Sequence, residues 1–350
     1  TNSVLDDEFF GGKLDYYLND TTHIEYTFFN DDTTIVSDTS EYDISTGKLG
    51  TNIGKSFDNV GGENEIFKIT SVITDDLTVS YMQGTNEYNR TTSGAGDSFP
   101  ALYDARSGSF VNVGQNTSFS IDVGDDKREM SRFDLDYYVE FMGSHHFRGG
   151  FEEETLTAVN STINSGGVYY AWFDGFSAGG VEYAAAGTDV VRVRNYNSGG
   201  TFVTEQEAFY IQDSWDVTDR LNLNIGLRRS TYDNKNAEGK TFVKVEDQDA
   251  MRFGASYDIY GDGSSKLFYS FGEYYLPIAA NTNIRMSGGE FYSYQFCEWD
   301  GINDNGSFKT VGLQNCGDIG YYADGSVPDT ISLTDTNRKP MYGEETIIGY

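Results

Sequence analysis

The sequence predicts an all-β, antiparallel, up-and-down fold, and three observations predict it. Runs of alternating apolar and polar residues recur in pairs joined by short polar turns. The 350 residues include 26 Tyr, 24 Phe and 40 Gly but only 4 Pro, a composition that suits strands and turns and suits helices poorly. The connections alternate between short and long, as in a transmembrane β-barrel with tight turns at one rim and long loops at the other.

Five hairpins follow in order. The first sets Leu14, Tyr16 and Leu18 against Ile24, Tyr26 and Phe28 across residues 19–22. The second sets Phe67, Ile69 and Ile73 against Leu77, Val79 and Tyr81. The third carries Phe133, Leu135, Tyr137, Val139 and Phe141, then Phe147 and Phe151. The fourth carries Phe209, Ile211 and Trp215, then Leu221, Leu223, Ile225 and Leu227. The fifth carries Phe253, Tyr257 and Ile259, then Leu267, Tyr269 and Phe271. Each strand is about 8–11 residues, enough for a tilted membrane crossing.

The opposite faces are polar: Asp134, Asp136, Arg148, Glu152 and Glu154 in the third hairpin, and Gln212, Ser214, Asn222, Asn224 and Arg228 in the fourth. A soluble sandwich would turn its apolar face to a core and its polar face to water. Long polar segments between hairpins (30–65, 83–131, 156–205, 230–250 and 277–340) instead point to a barrel whose apolar face meets lipid. Phe209, Ile211, Leu221, Leu223, Ile225 and Leu227 are then lipid-facing, and Arg148, Glu152, Asn224 and Arg228 are lumen-facing. A water-accessible concavity, not a packed core, is expected inside. Trp215 before a short turn, and Phe28, Phe29, Tyr274 and Tyr275 at far strand ends, fit interfacial girdles.

A net charge of −31, from 55 acidic and 24 basic residues, argues against nucleic-acid binding. No run approaches the roughly 20 apolar residues of a transmembrane helix, and no signal peptide is expected in this stretch. Cys297 and Cys316 lie in a stretch rich in Gly, Asp and Asn, where one disulfide in an oxidising compartment is expected and two free thiols are the alternative.

Other motifs carry little. "GDGSSK" (261–266) lacks the spacing and helix of a phosphate loop. His23, His145 and His146 adjoin turns and are expected to be solvated there. "WDGINDNGS" (299–307) and "GDDKRE" (124–129) gather oxygens that Ca²⁺ could use, without the spacing of a calcium loop. No catalytic triad or distinctive carboxylate pair stands out. No enzymatic activity and no resident cofactor are expected, Ca²⁺ in the acidic loops being a minority reading.

"YIQDSWDVTDRLNLNIGLRRSTYD" (210–233) and "HHFRGGFEEET" (145–155) resemble barrel strands of the TonB-dependent outer-membrane receptors. "GDGSSKLFYSFGEYYLPIAANTNIRMSGGE" (261–290) and "GGKLDYYLNDTTHIEYTFF" (11–29) are similar to the Oar-like members. The resemblance covers nearly all of residues 11–350, as barrel only. It implies a 22-stranded barrel of the bacterial outer membrane filled by an N-terminal plug. It also implies partnership with outer-membrane lipid and with the TonB complex, the latter through segments outside this chain. With about eleven strands counted, the chain is expected to be an internal half-barrel, without plug, TonB box or signal peptide.

The expected function is a receptor or transporter moving a large ligand across the outer membrane. Siderophore, cobalamin, glycan and peptide or protein cargo are all open, with the Oar-like resemblance leaning toward peptide or protein. The rivals are a passive porin-like channel, which an upstream plug would exclude, and a secreted adhesin or β-rich surface enzyme, which would be soluble without detergent.

The face assignment has a direct test. Leu223→Arg or Ile225→Arg should cost about 2–4 kcal/mol near the bilayer midplane, whereas Asn224→Arg should be tolerated far better. Folding into liposomes measures all three, and equal sensitivity at Asn224 would reverse the assignment.

Overall fold

A computed structural model describes residues 2–7, 9–43, 48–178, 180–299, 313–335 and 340–350. Taking the short-turn rim as the bottom, β1 (Asn2–Asp7) and β2 (Phe10–Asn19) run down to the first turn, and β3 (Thr22–Asn30) and β4 (Thr33–Asp43) run up from it. β5 (Lys48–Gly61) and β6 (Glu63–Thr74) run down to the second turn, and β7 (Leu77–Gly94) runs up. The short β8 (Ala101–Asp104) and β9 (Val111–Asn112) precede β10 (Ser120–Glu140), which meets β11 (Ser144–Asn164) at the third turn. β12 (Tyr169–Ala178) leads into β13 (Val181–Thr218), whose lower end turns into β14 (Leu221–Lys235). β15 (Thr241–Asp258) and β16 (Lys266–Leu276) form the fifth hairpin. Helix α1 (Ala280–Ser287), β17 (Gly289–Glu298), β18 (Gly320–Asp324), the short helix α2 (Thr330–Leu333) and β19 (Met341–Gly349) complete the chain.

The wall is a meander of eleven strands, β2–β3–β6–β7–β10–β11–β13–β14–β15–β16–β19, each antiparallel to the next. All five short turns fall where the alternation places a hairpin, but the third closes at residues 141–143 and the fourth at 219–220, off the 142–145 and 216–220 that alternation marks. The sheet is open: among the described residues β2 pairs only with β3, and β19 only with β16. No helix among them is long and apolar enough to cross a membrane, which says nothing of strands.

Three expectations need correction. Several strands are far longer than 8–11 residues: β7 has 18, β10 and β11 have 21 each, and β13 has 38, whereas β2, β3, β16 and β19 keep to that range with 10, 9, 11 and 9. Much of the supposed loop sequence is therefore ladder. Segment 30–65 continues β3 as β4 and precedes β6 as β5, and these extensions pair with each other and with the upper part of β7. The physical reason is that alternation marks a strand only where one face meets an apolar medium. Where both faces meet water a strand can be polar on both sides, and its pattern disappears. Segment 124–129 accordingly sits inside β10, paired with β7 and β11, with Lys127 against Glu87 at 3.3 Å. It is strand and not a calcium loop.

Second, β8 and β12 pair in parallel, a departure from a purely antiparallel sheet. Third, the protein has a small packed core. Leu102, Tyr170, Val191, Cys297 and Trp299 form one buried cluster, and Ala101, Tyr169 and Ala171 another. Both lie in a lobe built from β8, β12, upper β13 and β17, where strands carry apolar residues on both faces.

The join between β5 and β6 shows how the long strands bend. The Asp31 N–H donates to the Gly62 carbonyl at 3.2 Å, and the Gly62 N–H donates to the Asp31 carboxylate at 3.0 Å. A Cβ on Gly62 would stand 2.1 Å from the Glu87 carbonyl oxygen, a backbone atom that cannot swing aside. Gly62→Ala should destabilise this region by about 1–3 kcal/mol and open it to protease. Gly343→Ala, with nothing within 4 Å of its would-be Cβ, should not. Equal protease resistance of the two variants would show that the join does not depend on the glycine.

Candidate functional site on the polar wall and the lobe above it

Side chains two apart on a strand share a face, so the register decides which polar groups meet. Across β10–β11, Arg132 stands opposite Glu152, Asp134 opposite Gly150, and Asp136 opposite Arg148. Across β11–β13, Gly150 stands opposite Tyr210, and across β13–β14, Tyr210 opposite Arg228. The result is a lateral network over four strands. Arg132 Nε donates to Asp134 at 2.9 Å, and its Nη2 donates to the Tyr210 hydroxyl at 3.0 Å. That hydroxyl donates in turn to Asp134. Arg228 Nη2 donates to Glu152 at 3.0 Å. Arg148 lies 3.6 Å from Asp134 and 3.8 Å from Asp136.

Gly150 makes room for this. A Cβ there would come within 2.6 Å of the Phe133 carbonyl oxygen and 2.7 Å of the Tyr210 ring, so the glycine lets Tyr210 lie across the sheet to reach Arg132 and Asp134. A cavity of about 220 Å³ opens beside the network, lined in part by Arg132, Glu152, Tyr210, Gln212, Arg228 and Arg252.

The lobe is pinned. Cys297, on β17 opposite Val191, and Cys316 are joined with sulfurs 2.12 Å apart, closing a separation of 19 residues. Trp299 is 4% exposed and meets Trp172 edge-to-face at 4.9 Å. The Arg106 guanidinium lies 3.3 Å from the Trp172 ring centre. Its hydrogen bonds to Asp104 hold that carboxyl below the usual aspartate value. At the opposite rim, Asp258 accepts backbone N–H bonds from Tyr260, Gly261 and Gly263. These bonds, Gly263's foremost, also lower its pKa and shape the fifth turn, the stretch that superficially suggested a phosphate loop.

The family model for the outer membrane beta barrel domain matches residues 1–277. This chain belongs to that family. It is a barrel of the outer membrane, and its relatives agree in fold. Over 164 residues it is 26% identical to the TonB-dependent transporter Oar of Myxococcus xanthus, a stretch that is 44% of this chain and 15% of Oar. The outer membrane transporter YddB from Escherichia coli superposes with a TM-score of 0.54 at 11% identity, covering 86% of this chain and 38% of YddB. FpvA of P. aeruginosa, solved bound to heterologous pyoverdines, gives 0.53 at 14% identity, covering 84% of this chain and 39% of FpvA. The chain thus spans well under half the length of each.

The residues predicted from sequence take definite places in this barrel. Phe209, Ile211, Ile225 and Leu227 are exposed and Leu221 and Leu223 half-buried, all on the face opposite Tyr210 and Arg228. Of the four polar residues, the structure brings Arg228 and Glu152 together. Arg148 sits in the acidic half of the network, and Asn224 stands apart, its amide donating to Asn222 at 2.6 Å. The partners of these groups are one another, within the wall. Arg132, Asp134 and Tyr210, central to the network, were missed as site residues. The third hairpin already implies that β10 and β11 pair, but nothing local implies that β13 lies beside β11.

The histidines are more than solvated turn residues. His146 pairs with Asp136 at 2.7 Å, His145 with Asp213 at 2.8 Å and His23 with Asp15 at 3.1 Å. Asp15, His23 and Glu25 approach within 4.8 Å of one another, but Lys13 and Lys68 already lie 2.8 and 3.4 Å from Glu25 and supply the positive charge. Of segment 299–307 only Trp299 lies within the described residues.

Arg228 and Glu152 are largely shielded, at 25% and 13% side-chain exposure, so their coupling should be measurable. A double-mutant cycle of Arg228→Gln and Glu152→Gln should give about 1–2 kcal/mol of coupling in urea unfolding from liposomes. Strict additivity would show that the pair contributes nothing to the wall.

Proposed function

We propose that this chain is the barrel wall of a TonB-dependent transporter that carries a large ligand across the outer membrane. The observation that carries the reading is the wall itself: eleven strands in an open meander with a charged, hydrogen-bonded face. Small barrels fill their interior with their own side chains, whereas barrels of about 22 strands need a plug. A curved wall of this extent, lined by Arg132, Asp134, Tyr210 and Arg228, suits the second case, in which further strands and a plug from outside this segment complete the molecule. The similarity to Oar, YddB and FpvA supports it.

On this reading Phe209, Ile211, Leu221, Leu223, Ile225 and Leu227 face lipid, and the network around Arg148, Glu152 and Arg228 lines the lumen with Asn224 below it. The lobe pinned by Cys297 and Cys316 stands on the cell exterior, where a disulfide persists. Ligand capture is assigned to that side and TonB engagement to the periplasmic side. The cargo class, whether siderophore, cobalamin, glycan or peptide, stays open at this level.

The test is electrical. The intact protein reconstituted in a planar lipid bilayer should show no steady conductance until urea displaces the plug, and then large open steps. A steady conductance without urea would replace this reading with a passive channel, and a protein soluble without detergent would replace it with an adhesin.

A further inference from the structure

In the lobe, β12, β13 and β17 lie side by side. Arg194 stands opposite Tyr169 on one flank and Tyr294 on the other, and Arg192 stands opposite Ala171 and Phe296. Two apart on β13, the arginines share one face of the sheet. The Arg192 guanidinium lies 5.5 Å from the Phe173 ring centre and 5.9 Å from that of Phe176. The Arg194 guanidinium lies 4.5 Å from Tyr292 and 5.3 Å from Tyr169.

Rings engage the flat face of a guanidinium and leave its in-plane N–H donors free. The Nε atoms of both arginines are buried and meet no acceptor among the described residues. No carboxylate among the described residues comes within 4.0 Å of either guanidinium, although acidic residues outnumber basic ones 55 to 24. The wall arginines Arg132, Arg148 and Arg228 all have one. Burial and the like charge of Arg194 push Arg192 below its ordinary value, with the Tyr169 hydroxyl as a polar neighbour. Two adjacent, half-buried cations with no carboxylate beside them among the described residues form an electrostatic site for an anion.

Size limits what enters. The recess holding both arginines has a volume of about 90 Å³, above the roughly 10–15 Å³ that a single water needs. That is room for an oxyanion head group. A second cavity of about 560 Å³ shares Tyr183, Tyr294 and Phe296 with it, within the range that takes a small-molecule-sized body. Glu298 and Asp318 line that second cavity, so a negative group is directed away from it and into the arginine recess.

We propose that the Arg192–Arg194 recess binds the carboxylate or phosphate oxyanion at one end of a ligand whose less polar body lies along the trough of Tyr183, Tyr294 and Phe296. The proposal rests on the ligand-capture half of the transport reading and does not require energised transport. Planar, bidentate N–H geometry suits both oxyanions, and the aromatic walls exclude the water that would weaken the pairing.

The experiment is calorimetric titration of the intact protein in detergent micelles with benzoate, phenylphosphate and the uncharged benzamide. At least one anion should bind with one-to-one stoichiometry and exceed benzamide by about tenfold or more, and the stronger of the two identifies the oxyanion. Arg192→Gln and Arg194→Gln should each weaken that anion by about tenfold or more, with Arg192→Lys intermediate, in protein whose heat-modifiable gel mobility confirms a folded barrel. Equal binding of benzamide by the unaltered protein, or undiminished anion binding by the folded double variant, would overturn the proposal. Because this binding needs no bilayer, its failure is distinguishable from a failed conductance test of transport.

Discussion

A backbone amide or carbonyl in hydrocarbon has no water to turn to, so it must find its partner on the next strand. That constraint explains why the chain is built as an unbroken meander. Neighbours in the wall are neighbours in sequence apart from excursions at the upper rim, and ten successive antiparallel ladders satisfy the backbone from β2 to β19. The excursions are themselves ladders, and β5 and β17 reattach to strands of the wall through β7 and β13.

Side chains then divide the two faces. On one, Phe209, Ile211, Ile225 and Leu227 are each 43–57% exposed, a surface suited to lipid and unsuited to water. On the other, charges sit next to opposite charges on adjacent strands. Arg132 on β10 reaches Tyr210 on β13, and Arg228 on β14 reaches Glu152 on β11, so four strands are tied laterally by side chains as well as backbone. Such pairing keeps a wall of many ionised groups close to neutral locally, whereas the chain as a whole is at −31. In the lobe, Arg192 and Arg194 have no such carboxylate among the described residues.

How much of this was legible in the sequence depended on locality. The register needs the close of the third turn at residues 141–143 and a bulge beside Val217, which alternation does not reveal, but that β10 pairs with β11 and β13 with β14 follows from the short turns. Gly150 opposite Tyr210 does not, because a long excursion through β12 separates them. The lobe was missed for a different reason. "VVRVRNYN" alternates as a strand does, but its polar members are arginines, and in a segment already read as loop that signal carried no weight. Trp299, in a segment read only for its oxygens, is buried because β8, β12 and β17 together make two faces, which no single segment reveals. Segment 124–129 showed the converse error, its carboxylates suggesting a loop where hydrogen bonding makes a strand.

The length of β13 has a mechanical consequence. A membrane crossing takes roughly 9–11 residues of tilted strand, and β13 has 38. At about 3.3 Å per residue it would extend for roughly 125 Å if straight. Its lower part is held by β11 and β14 and its upper part by β12 and β17, so wall and lobe share one strut. A flap on a flexible linker could swing without disturbing the barrel, but this lobe cannot. Any tug on it is borne by a row of backbone hydrogen bonds loaded together in shear, and a shift of β13 moves Tyr210 against Arg132 and Asp134. Lobe and polar wall are therefore coupled through β13, and whatever displaces one is felt by the other.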